Sequence, residues 1–207
     1  MRTRSAVPAS PEPRLRRAGP AVGLALSLLF AGGLLARTAA LPENPPPAHT
    51  GGFGEPTCQV CHFGGPADEG GEAISFAGVP ATYEPGRTYR ITVILARPGT
   101  RLAGFQLAAR FADGPRVGQQ AGELRPVDER AAVTEHGAPP IAYAHHTRAG
   151  TVPTAPDTAR WVLEWTAPRE AAGTVVFHVA ANSADGDNSP LGDAIAAASL
   201  ESRPASP

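Results

Sequence analysis

Lysine is missing from the 207 residues, so all 18 basic side chains are arginine. This is a bias of composition, and no function is drawn from it. Methionine occurs once, at Met1, and cysteine twice, at Cys58 and Cys61. Aromatic residues make up 6% of the chain and charged residues 18%. No G-x-S-x-G, H-E-x-x-H or glycine-rich phosphate loop is present, so nucleophilic hydrolysis, zincin chemistry and phosphate-loop chemistry find no support. Glycine and proline are abundant instead, at 23 each. That argues against long helices and for a loop-rich β architecture in one domain behind a leader.

The formal charge of −1 conceals an asymmetry. Residues 1–40 hold six Arg and only Glu12, whereas residues 41–207 hold twelve Arg against eighteen acidic groups, a net of −6. An acidic domain without a basic stripe is a poor binder of nucleic acid. The basic start runs into 17 uncharged residues from Pro20 to Ala36, the pattern of an export signal. The apolar run is slightly long for a signal and slightly short for a relaxed span. Residues 1–40 therefore read as a signal peptide or an N-terminal membrane anchor. Thr38-Ala39-Ala40 offers small residues for cleavage before Leu41. The residues after Arg16-Arg17 do not follow the twin-arginine pattern, which favours export as an unfolded chain. The expected location is periplasmic or extracellular, with attachment to the inner membrane through residues 20–36 if the leader is retained.

The chemistry centres on Cys58-Gln59-Val60-Cys61-His62, the C-x-x-C-H pattern of covalent c-type haem attachment. Two thiols three positions apart can add to the two vinyl groups on one porphyrin edge. The adjacent imidazole then turns under the ring as proximal iron ligand. The expectation is one covalent haem c per chain, with Cys58 and Cys61 in the thioethers and His62 on iron. A redox dithiol, a disulfide or half of a zinc site are the competing readings. The remaining histidines lack the H-x3-5-H spacing of a zinc finger, and no helical pattern follows the pair as in a thioredoxin-like site. With Met1 in the leader, His/Met ligation is excluded. The sixth ligand is then a histidine or another group, or the position is open and admits small-ligand or peroxide chemistry. The histidines available are His49, His136, His145, His146 and His178.

Residues 41–72 form a Pro/Gly-rich linker carrying the motif, a composition that is extended and cannot build a core by itself. A haem here would sit on a loop at the edge of the domain. From residue 73 to 201 the pattern turns to short alternating strands. Ala73–Val79 is one candidate; Tyr89, Ile91, Val93 and Leu95 share a face of another. Phe105, Leu107, Ala109 and Phe111 alternate with Gln106, Ala108 and Arg110. Trp161, Leu163 and Trp165 form a further strand, and Val175, Phe177 and Val179 the next. Period-two alternation predicts half-buried strands, and five or more of them, broken by turns such as Glu84-Pro85-Gly86, predict an all-β, two-sheet sandwich. The loop from Asn182 to Ser189 is dense in oxygen ligands but lacks the EF-hand order, and reads as a solvated turn. Asp193 beyond it is expected to satisfy a backbone amide.

Several short motifs occur in order: Thr57-Cys58-Gln59-Val60-Cys61-His62, Tyr83-Glu84-Pro85-Gly86-Arg87-Thr88-Tyr89, Gly104-Phe105-Gln106, Tyr143-Ala144-His145-His146-Thr147, Trp165-Thr166-Ala167-Pro168, Val175-Val176-Phe177 and Gly192-Asp193. Over roughly residues 50–200 they resemble the bacterial choice-of-anchor V domain, itself similar to the reeler domain. The resemblance implies an immunoglobulin-like, reeler-like β-sandwich, exported or surface-attached, with C-x-x-C-H near its start. It does not imply a reaction. His146 matches the family's Tyr-x-x-His-Thr pattern and is the first choice for the distal ligand. His178 stands where the family more often has Tyr and carries less weight. The chain ends at Pro207 with no apolar tail, so any anchor is expected in the leader. The combined expectation is a non-enzymatic haem protein of extracytoplasmic electron transfer or redox sensing. Its partners would be redox proteins in that compartment and the c-type maturation system. The alternative is a surface adhesion or interaction module with a structural or redox cysteine pair and no haem.

Overall fold

The computed structural model describes residues 44–65 and 72–205. The leader expectations, on residues 1–40, lie outside the described residues, as does part of the stretch following the motif. The described residues all belong to one compact unit, residues 38–207.

Ten strands account for the regular structure: β1 (Ile74–Ala77), β2 (Thr82–Tyr83), β3 (Thr88–Ala96), β4 (Leu102–Phe111), β5 (Glu123–Pro126), β6 (Ala131–His136), β7 (Ile141–His146), β8 (Thr158–Thr166), β9 (Val175–Ala184) and β10 (Ala194–Pro204). Only short 3-10 turns accompany them among the described residues. The strands form two sheets, a four-stranded one in the order β1-β3-β8-β5 and a six-stranded one in the order β2-β10-β9-β4-β7-β6. The pairs are antiparallel, apart from the short parallel contact of β10 with β2. The predicted all-β sandwich is therefore the fold.

Alternation drives this packing. On β3, Ile91, Val93 and Leu95 are buried, and β8 sends Trp161, Leu163 and Trp165 into the same core. From the six-stranded sheet, Phe105, Leu107 and Phe111 of β4 and Phe177 of β9 meet them. Phe105 stacks on Trp161 with ring centroids 4.5 Å apart, and Trp165 receives Phe177 edge-on at 4.9 Å. Each indole N–H also finds a partner, Trp161 on Gly150 O and Trp165 on Ala121 O, both at 3.0 Å. The tryptophans thus bury their full area without an unpaired donor, and side chains of this size typically cost about 3–5 kcal/mol to truncate.

β4 departs from the half-buried expectation: nine of its ten residues are buried. The odd-numbered residues from Ala103 face the core, while Gln106, Ala108 and Arg110 are covered on the outer side of the sheet. The cover is the Pro/Gly-rich segment. Its backbone is irregular, as its composition requires, but it lies on the six-stranded sheet rather than hanging free.

Candidate functional site

A segment with three consecutive prolines offers few N–H groups for strand pairing, so side chains of the sheet must hold it. Gln106 supplies one clasp: its Nε2 donates to Pro46 O at 2.9 Å and its Oε1 accepts from His49 N at 2.7 Å. Glu55 supplies the other. One carboxylate oxygen accepts from Tyr143 OH at 2.5 Å and from Arg110 Nη2; the other accepts from Thr50 Oγ1 at 2.6 Å. The Arg110 guanidinium lies over the Phe53 ring at 5.3 Å, and Phe53 meets His178 edge-on at 5.4 Å. Gly52 fits only because it has no Cβ, which would stand 2.4 Å from the His178 ring.

So anchored, the chain enters a 3-10 turn at Cys58–Val60, with Thr57 Oγ1 accepting from Gln59 N at 3.3 Å. Cys61 N and His62 N both donate to Cys58 O, at 3.2 and 3.0 Å. The motif is therefore one tight turn, and the spacing i, i+3, i+4 turns Cys58, Cys61 and His62 to one side. All three line a single cleft. The turn is then pinned to the β9–β10 connection, where Phe63 N donates to Pro190 O at 3.0 Å and Gly192 N to Phe63 O at 2.9 Å.

That pin brings His62 beside Asp193. Nδ1 of His62 donates to Asp193 Oδ2 at 2.6 Å, and Asn182 Nδ2 donates to the same oxygen at 3.2 Å. Asp193 is buried, so its carboxylate reaches across to the imidazole and does not serve the backbone amide expected from the sequence. No bond to Nε2 of His62 is made among the described residues, and the residue lines the cleft.

His146 lines the same cleft from the end of β7. Its Nδ1 lies between Phe105 N, at 3.1 Å, and Phe105 O, at 3.3 Å. The ring can accept from the one or donate to the other without moving, and a ligand bond at Nε2 selects the donating tautomer. Burial, the largest influence, pushes its pKa down to about 4, with the nearby His145 and His62 acting in the same direction and the Phe105 bond opposing. The imidazole is thus neutral at ordinary pH, the form that ligates metals. Gly104 leaves the room for it: a Cβ there would stand 2.7 Å from the ring.

The other histidines divide clearly. His145 is sealed, with Nε2 at 3.0 Å from Thr134 Oγ1 and Nδ1 donating to His146 O at 2.8 Å. His136 is exposed at the end of β6, and His178 belongs to the Phe53 contact outside the cleft. His49 does line the cleft, its Nδ1 donating to Pro47 O at 2.9 Å.

The cleft is walled by Leu102, Ala103, Phe105 and Pro190 besides these polar groups, and its inner cavity measures about 180 Å³. It is partly open to solvent. Both cysteines are free thiols, Cys58 half-buried and Cys61 exposed. Burial, the dominant cause, pushes the Cys58 thiol up to about 12. A redox dithiol needs the opposite, a thiolate stabilised near neutral pH. Among the described residues no three His, Cys, Asp or Glu side chains converge on one point as a metal cage. The oxygen-rich loop turns its acceptors on itself: Asp185 Oδ1 takes Asp187 N at 3.0 Å, and Asp187 Oδ1 takes Ser189 N at 2.7 Å.

No protein-family model matches this chain, and no curated protein does. Among solved structures it is similar to the human F-spondin reeler domain, at 23% identity over 67% of this chain and 95% of that one, with a TM-score of 0.43. It is also similar to a cohesin module of a family 33 glycoside hydrolase from Clostridium perfringens, at 9% identity over 64% and 98%, TM-score 0.39. A putative membrane anchored protein from Corynebacterium diphtheriae matches at 14% identity over 70% of this chain and 38% of that one, TM-score 0.35. These are likenesses of fold, and the two-sheet architecture stands on the strand pairing itself.

Proposed function

We propose that this chain is an exported c-type haem protein that exchanges electrons, or senses redox state, outside the cytoplasm. One observation carries the reading: a single turn presents Cys58, Cys61 and His62 to a cleft that His146 also lines, with Nδ1 of both imidazoles hydrogen-bonded and, among the described residues, no partner on Nε2 of either. The donor set fits the group. Cys58 and Cys61 would hold the porphyrin edge by thioethers, His62 would be the proximal ligand and His146 the distal one. Bound there, haem supplies reversible one-electron chemistry at iron.

The protein's own part is to hold and to exclude. Glu55 and Gln106 fix the turn that carries the thiols. Leu102 and Pro190 supply apolar surface to the cleft, and the Phe105 backbone fixes the orientation of His146. Two imidazoles on iron, in a chain whose sole methionine is Met1, would set a lower potential than His/Met ligation. The chain acts as a carrier or binding protein rather than an enzyme, and its partners are redox proteins of the same compartment and the c-type maturation system.

The test is a pyridine haemochrome spectrum of the full chain exported from a host with c-type maturation, beside a Cys58→Ala/Cys61→Ala double variant. Covalent haem in the parent and none in the variant is the expected result. A colourless, folded parent from a host in which a control cytochrome matures would overturn the reading and leave an interaction module without haem.

A further inference from the structure

The buried pair behind His62 is not explained by packing. Asp193 is 4% exposed and Asn182 is 9% exposed, yet Oδ1 of each has no hydrogen-bond partner. A buried carboxylate with one bare oxygen is costly unless its other oxygen is strongly engaged. Here Oδ2 takes two donors, His62 Nδ1 at 2.6 Å and Asn182 Nδ2 at 3.2 Å. Asn182 Nδ2 also lies 3.0 Å from His62 Nδ1, but two N–H groups cannot donate to each other. The contacts are satisfied together when Nδ1 carries the proton and both donors point at Oδ2, which in the neutral ring leaves the lone pair on Nε2 of His62.

We propose that Asp193, oriented by Asn182, is a positioning residue that locks His62 in the Nδ1–H tautomer and strengthens Nε2 as a donor to iron. The inference rests on the haem reading above. A carboxylate accepting the Nδ1 proton draws it away from the ring and raises the electron density at Nε2. A more basic ligand stabilises the oxidised iron over the reduced one, so Asp193 holds the potential down. Asn182 acts in the opposite sense, because its N–H competes for Oδ2 and blunts the carboxylate. Asn182 on β9 and Asp193 just before β10 thus tune one ligand in opposite directions.

The experiment is a one-electron potentiometric titration of the haem-loaded full chain, using parent, Asp193→Asn and Asn182→Leu. Asp193→Asn preserves shape and leaves only a neutral partner for Nδ1; at least a tenfold change in the reduction equilibrium is expected, an upward shift of about 59 mV. Asn182→Leu is expected to shift the potential downward, and serves if Asp193→Asn does not fold. Haem-loaded variants with potentials equal to the parent's, or shifts of the same sign in both, overturn the proposal while leaving the haem reading intact. A parent that takes no haem overturns both. In the haem-free chain, nitrogen-15 shifts of His62 give a second readout: Nδ1 protonated in the parent and a mixed tautomer in Asp193→Asn support the lock, and a mixed tautomer in the parent overturns it.

Discussion

Replacing Glu55 with Gln should release the turn that carries both cysteines while leaving the sandwich folded. The carboxylate accepts from Arg110, Tyr143 and Thr50, and with Arg110 it forms an ion pair of which both side chains are at most about a tenth exposed. Gln keeps the shape but loses the charge, leaving the Arg110 guanidinium buried on the sheet without its counter-ion. Breaking a buried pair from one side costs about 3–5 kcal/mol. The core strands do not depend on this contact, so the cost falls mainly on the seating of residues 44–65. At ~1.4 kcal/mol per decade, ~3 kcal/mol raises the population of the unseated segment by roughly 100-fold. Cys58 reports it, because the half-buried thiol, its pKa raised to about 12, is held protonated while the segment is docked. In the haem-free protein, alkylation of Cys58 at pH 8 should accelerate by about that factor, as far as the free-thiol rate allows, while the far-ultraviolet spectrum stays that of a β protein. Equal alkylation rates in Glu55→Gln and parent would refute the reasoning, since the segment would then be seated by something other than this clamp.

Gly104→Ala should dislodge His146. The new Cβ would meet the ring at 2.7 Å, so the imidazole must retreat by ~0.8 Å to reach an ordinary contact; the expected readout in the haem-loaded chain is a partial change from low-spin to high-spin absorption, and an unchanged spectrum counts against His146 as ligand. Stability should fall with acidity in a window set by two histidines. Burial lowers the pKa of His178, helped by Arg110, and lowers that of His146 to about 4. In both cases the unfolded chain binds protons more readily than the folded one, so the stability present above the ordinary imidazole value of ~6.5 is lost as pH falls below it. Thermal melts of the haem-free chain between pH 7 and 5 should show the decline, and His178→Phe should flatten it without abolishing it.

The sandwich was legible because its signals are local. Ile91, Val93 and Leu95, or Trp161, Leu163 and Trp165, repeat every second residue, and a period of two has one structural meaning when turns bracket it. β10 was overlooked because its start, Ala194 to Ala198, holds a single large apolar residue, Ile195, and so shows no alternation of large apolar side chains. The hairpin β6–β7 hid for a related reason: Ala131, Ala132 and Val133 are small, and Thr134, Glu135 and His136 read as surface. What the sequence could not convey is which polar residues act at a distance. Gln106 and Arg110 look like the solvent face of β4, and nothing near them in the chain announces that Pro46 and Glu55 will cover them. Asp193 stood in a recognised motif, but its partner lies 131 residues away. The four residues of the proposed site were legible for a different reason, since C-x-x-C-H encodes its own geometry in one turn and His146 sat in a motif of its own.

The choice between the two histidines facing His62 turns on preorganisation. His49 and His146 both line the cleft and both have Nδ1 engaged, so hydrogen bonding does not separate them. Their supports do. His49 sits on an irregular segment, its backbone held to the sheet through the Gln106 side chain, and its ring bonds, among the described residues, to Pro47 two residues away. His146 ends a paired strand, is packed against Gly104 and is gripped by the backbone of β4, an interior strand of the six-stranded sheet. A ligand on a rigid element pays less entropy to hold its geometry than one on a tethered loop. His146→Ala should therefore change the axial-ligand spectrum of the loaded chain while His49→Ala leaves it unchanged, and the reverse result would move the distal position to the proline-rich segment and make Gln106, through its hold on that segment, the residue that governs it.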